Sequence, residues 1–94
     1  MAVGILTLYI QIPGCLTLKE KRSRMKPLIH RIHCEFNVSI SETDYQDKRA
    51  EAIITAVMVS NDSKYVQTTV NHVIGFIKKH YPNMEIVSDS IELI

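Results

Sequence analysis

Six runs of apolar residues, in two alternating periods, leave this chain few ways to fold. Over 2–12, 36–42, 52–60 and 84–94 the apolar positions follow strand-like spacing; over 18–34 and 63–80 they recur at helical spacing. A period of two sends neighbouring side chains to opposite faces of a strand, and a period of 3.6 gathers them into one stripe of a helix. The order is therefore βαββαβ.

The details agree with that order. Leu6, Leu8, Ile10 and Ile12 share one face of the first strand, with Val3, Ile5, Thr7, Tyr9 and Gln11 on the other. Pro13-Gly14 ends the strand with turn chemistry. Thr17 caps the first helix, and Glu20 three residues on completes a capping box. The helix stripe reads Leu18, Met25, Ile29 and Ile32, with Arg22 on it. Pro27 removes a donor and crowds the preceding turn, which predicts a kink near 23–26 or two short helices. Phe36, Val38 and Ile40 alternate with polar residues, as an edge strand does. Residues 52–60 are apolar on both faces, as in a central strand. Asn61 or Asp62 caps the second helix, whose stripe is Val66, Val70, Val73, Ile74 and Ile77. The last run alternates imperfectly, which predicts a bulge or a frayed edge.

Two right-handed βαβ crossovers joined by a hairpin give one domain, residues 1–94. The expected architecture is an α+β, ferredoxin-like sandwich: a four-stranded antiparallel sheet in the order 4-1-3-2, with both helices on one face. That order puts the two most apolar strands in the middle. It leaves the other sheet face uncovered, with Ile5, Tyr9 and part of 52–60 on it. An apolar patch of that kind marks an interface, so a homo-oligomer, most simply a dimer, is expected.

Composition excludes several classes. The chain is 46% hydrophobic and 22% charged with three glycines, so it is neither disordered nor of low complexity. The net charge is +1, but Lys19, Lys21, Arg22, Arg24, Lys26 and Arg31 concentrate the basic residues against Glu20 alone. Cys15 and Cys34 lack a CxxC spacing and read as reduced thiols of a cytoplasmic protein. The first run is broken by Thr7 and Gln11 and reads as a strand, not as a signal peptide or membrane span.

Four blocks resemble a known family. Pro13-Gly14-Cys15-Leu16-Thr17-Leu18-Lys19-Glu20-Lys21-Arg22, Phe36-Asn37-Val38-Ser39-Ile40, Asp44-Tyr45-Gln46-Asp47 and Val59-Ser60-Asn61-Asp62 are similar, in order and spacing, to the YlxP-like family of small bacterial proteins. The resemblance implies a ferredoxin-like fold and brings no characterised function. It carries an association with translation and ribosome maturation. The chain departs from the family pattern at Pro27, where a helix former is usual, and at Lys48-Arg49, where an aromatic is common.

The residues themselves offer one main candidate site. Lys19, Lys21, Arg22, Arg24 and Lys26 on the first helix are of the type that neutralises phosphates in RNA. The competing reading is a solvated face balanced by pairs such as Glu20–Arg24. Asp44, Gln46 and Asp47 form a secondary surface, read alternatively as a turn whose carboxylates bond nearby backbone. His30 and Cys34 lie four apart on one helix, but no further pair with ligand spacing accompanies them, so no metal is expected. Base stacking on the open sheet is disfavoured, because Tyr9 is the sole aromatic there. No cofactor motif and no catalytic constellation emerges; a small hydrolase would require Asp44, Asp47 and a histidine to converge. The expected protein is a non-enzymatic accessory module touching RNA or the ribosome. The alternative is an interaction or small-molecule module using the open sheet or the 41–50 loop.

Overall fold

The structure, a computed structural model, describes all residues from Met1 to Ile94. Its elements are β1 (Ala2–Gln11), α1 (Leu18–Glu35), β2 (Ser39–Asp44), β3 (Glu51–Ser60), α2 (Ser63–His80) and β4 (Glu85–Leu93). The sheet runs β2-β3-β1-β4, which is the expected 4-1-3-2 read from the other edge, and every pairing is antiparallel.

The register follows from which side chains must be buried together. Leu6, Leu8 and Ile10 of β1 stand opposite Ala56, Ile54 and Ala52 of β3. All six are buried, with Met25, Leu28 and Ile32 of α1 and Val66, Val70, Val73 and Ile77 of α2 in the same core. Both helices therefore cover one side of the sheet. A slip of one residue would turn the inward set of β1 out to water, so the core fixes the pairing. Each outer strand carries an irregularity. The β1–β4 register shifts at Tyr9/Ile10, leaving Val87 unmatched, and the β2–β3 register shifts between Glu42 and Asp44, leaving Thr43 unmatched. The first is the bulge expected from the alternation.

Gly4 sets how closely α2 lies on β1. A Cβ there would stand 2.3 Å from Cγ1 of the fully buried Val66. Asp62, not Asn61, caps α2: its carboxylate accepts from Lys64 N at 2.9 Å. Thr17 caps α1, with Oγ1 accepting from Glu20 N at 3.0 Å, while the Glu20 carboxylate reaches back to Leu16 N at 3.3 Å. This is a capping box displaced outward by one residue.

Two expectations for α1 are corrected, that it splits into two short helices and that Arg22 lies on its inward stripe. It is one helix from Leu18 to Glu35 that passes through Pro27 without dividing. Pro27 and Ser23 are both exposed, so the missing hydrogen bond falls on the wet side, where water can serve the free carbonyl. The inward stripe is Lys21, Met25, Leu28 and Ile32, not one containing Arg22; Arg22 is exposed. β2 also starts later than expected, at Ser39, and extends to Asp44.

Candidate functional site

The buried stripe of α1 sorts its basic residues. Positions 21, 25, 28 and 32 recur at four, three and four, so the opposite side carries Lys19, Ser23, Lys26 and His30, with Arg22 beside them. All five are exposed. The protein has three ion pairs: Lys21–Glu42 at 2.7 Å, Arg24–Glu20 at 2.8 Å and Lys48–Glu51 at 3.5 Å. Lys19, Arg22 and Lys26 take part in none. They form a line of unpaired cations about 10 Å long, at 1.5 Å of rise per residue.

Of the other two expected phosphate contacts, Lys21 is corrected and Arg24 is paired with a carboxylate. Lys21 is 1% exposed and lies in the core. Its ammonium donates to the carbonyl of Tyr45 at 2.6 Å and sits against Glu42, whose position on β2 points to the helix side of the sheet. The approach to Glu42 Oε2 is a charge contact and not an aligned hydrogen bond. A buried lysine needs such partners to stay charged. It cannot reach a phosphate. Arg24 is half-buried; it is paired with Glu20 and donates to Pro13 O at 3.5 Å. Toward the other end of α1, the exposed Arg31 lies 5.0 Å above the Phe76 ring of α2 in a cation–π contact.

The secondary surface behaves as a turn. Asp44 Oδ1 accepts from Tyr45 N at 2.8 Å, and Gln46 Nε2 donates to Glu42 O at 3.4 Å. Asp47 lines a cleft of about 630 Å³ with Gln11, Cys15, Lys48, Arg49 and Glu51. No three His, Cys, Asp or Glu side chains come together to hold a metal. Cys34 Sγ lies 3.6 Å from His30 Nε2 and has no third ligand partner; both cysteines are free.

A cluster beside this turn went unread in the sequence. Tyr45 has φ of 62°, a left-handed backbone that non-glycine residues seldom adopt. Its carbonyl accepts from Lys21 Nζ and from Lys48 N, so the conformation is fixed from two sides. The Tyr45 ring meets Tyr9 edge-on at 6.0 Å, and Lys48 Nζ sits 4.4 Å over it. Tyr9 OH donates to Glu51 Oε1, and Gln11 Nε2 donates to Tyr9 OH at 3.4 Å. The Tyr9–Glu51 bond holds the Glu51 carboxyl below its usual range and raises the Tyr9 phenol. One signal was available: Tyr9, Gln11 and Glu51 all occupy outward positions on adjacent central strands, at paired ends of the ladder.

The fold and this helix together define a small ferredoxin-like sandwich that displays three unpaired cations on the solvent side of α1. Residues 3–91 match the family described as "Protein of unknown function (DUF503)". The chain belongs to that family. It is 35% identical over 69 residues to "Uncharacterized protein YlxP" of Bacillus subtilis (strain 168), spanning 73% of this chain and 74% of that protein. Among solved structures, the de novo designed protein Foldit4 superposes with a TM-score of 0.57 at 14% identity, covering 100% of this chain and 97% of the design. SnoaB, a cofactor-independent oxygenase from Streptomyces nogalater, gives 0.53 at 10% identity, with 99% and 90% covered. A putative antibiotic biosynthesis monooxygenase from Deinococcus radiodurans gives 0.52 at 16% identity, with 100% and 90% covered. At these identities the likeness is one of fold. No helix is long and apolar enough to cross a membrane.

Proposed function

We propose that this protein is a non-enzymatic binding module that docks on RNA, with ribosomal RNA the first candidate, through the solvent face of α1. Lys19, Arg22 and Lys26 are the phosphate contacts. One observation carries the reading: these three cations lie in line on an exposed face, and no carboxylate neutralises any of them. Phosphate contacts position a protein on nucleic acid without reading its bases, which suits a helix that offers charge and no stacking aromatic. A binding role accords with the loop carboxylates, since Asp44 is occupied in holding its own turn. The two free cysteines accord with the cytoplasm.

Three phosphate contacts set the salt dependence. The logarithm of the binding constant falls with the logarithm of salt at a slope of about −2 for single-stranded RNA. Titration of labelled ribosomal RNA fragments at two ionic strengths measures it. The Lys19→Glu, Arg22→Glu, Lys26→Glu variant abolishes binding and keeps the wild-type circular dichroism. Arg24→Ala leaves the slope unchanged, because Arg24 is already paired. Absence of binding at low salt by the wild-type protein overturns the reading.

A further inference from the structure

The side of the sheet away from the helices has an apolar centre and no cover. Val3 and Ile5 of β1 face Val59 and Val57 of β3 across the ladder, and Ile53 faces Tyr9. Five of the six are only half-buried, and Val59 is 59% exposed. The matching positions of the outer strands are four serines and three acids, Asp44 on β2 and Glu85 and Glu92 on β4. No strand contains a lysine or an arginine.

We infer that this face seats the same face of a second copy, giving a dimer with twofold symmetry. Charge selects the occupant. A face with acids on its rim, whose one neighbouring cation, Lys48, is paired with Glu51, repels nucleic acid. A cationic protein partner finds no carboxylate in the central patch. A second copy brings a neutral, apolar centre against a neutral, apolar centre with the serine hydroxyls at its border, which is the self-complementary pattern of an isologous interface. Size agrees. Four strands about 4.8 Å apart and about eight residues long at 3.3 Å each give a plan area on the order of 500 Å² per copy. Two copies bury about 1,000 Å², the least that a specific interface needs. In this arrangement the helices lie outside, and the two α1 cation lines face away from each other.

Sedimentation equilibrium of the full chain over about 1–100 µM tests this. The expected mass is twice the 10.7 kDa of the chain. Val57→Lys places a charge at the centre of the face opposite Ile5 and weakens association by at least about 100-fold, since an unpaired charge at an interface costs several kcal/mol. Should that variant not fold, Thr7→Lys places the charge at an already polar, half-exposed position of the same face and gives the same dissociation. The Lys19→Glu, Arg22→Glu, Lys26→Glu variant keeps the dimer mass, which separates this inference from the RNA reading. A wild-type protein that stays at the single-chain mass at the highest concentration overturns it. So does an oligomer that survives both face substitutions, or one that the α1 variant dissociates.

Discussion

The two helices have the same length and cover the same side of the sheet, yet they are built to different rules. α2 buries Val66, Thr69, Val70, Val73 and Ile77 and carries Lys78, Lys79 and His80 in its last turn, with Lys64 in its first. α1 buries a lysine and tolerates a proline in its middle. Each of these choices lowers helix stability. A segment that departs repeatedly from local consistency is one whose residues answer to something besides folding. That accords with placing the working surface on α1 and the packing role on α2.

Three substitutions probe this contrast. The largest effect is expected at Lys21. Lys21→Met keeps the shape but strands Glu42 and takes one of two donors from the Tyr45 carbonyl, at a cost of about 2–4 kcal/mol; the figure is below that of a fully enclosed pair because the Glu42 side chain is 19% exposed. Adding Glu42→Leu recovers most of the loss, and urea denaturation of the two single variants and the double measures the coupling. If Lys21→Met alone is neutral, the helix is not anchored through its lysine. Next is Gly4→Ala, which presses on Val66 and costs about 1–3 kcal/mol by overpacking. The loss comes from α2 alone, so hydrogen exchange accelerates in α2 before α1. Uniform acceleration of both helices erases the distinction.

The smallest effect is at Tyr9→Phe, which removes the bond to Glu51. The folded protein holds Glu51 below its ordinary 4.5, so the bond contributes fully above that value and is lost as pH falls through the lowered one. Tyr9 is raised above 10.0, so the contribution is complete below that value and is lost as pH rises through the raised one. The stability gap between wild type and variant is therefore widest in the neutral range and closes toward acid. A gap independent of pH removes the bond from the account.

Most of the fold was legible because its signals are periodic. Val66, Val70, Val73 and Ile77 mark α2 without ambiguity, and the inward Leu6-Leu8-Ile10 set of β1 needs no partner to be read. The phase of α1 was not legible by apolar residues alone, because its first buried position is a lysine. Continuing the 25–28–32 spacing one turn back lands on Lys21, and Glu42 occupies an inward position two residues after Ile40. Two opposite charges, each in the apolar phase of its own element, were the trace of the buried pair. The left-handed backbone of Tyr45 left no such trace, since it depends on a carbonyl held by a side chain 24 residues away. Of the five cations first grouped on α1, sequence spacing could identify their helix, but only the packed structure could separate the three that reach solvent unpaired.

The mismatched residues at the margins of the ladder, Thr43 on one side and Val87 on the other, have a consequence for the protein in a crowded cell. A regular border strand invites a neighbour's border to extend the hydrogen-bond network without limit, and a kinked border refuses it. With both margins interrupted, copies that meet side by side find no continuous template. Growth into ribbons or fibres is discouraged at either boundary, and any stable assembly remains finite.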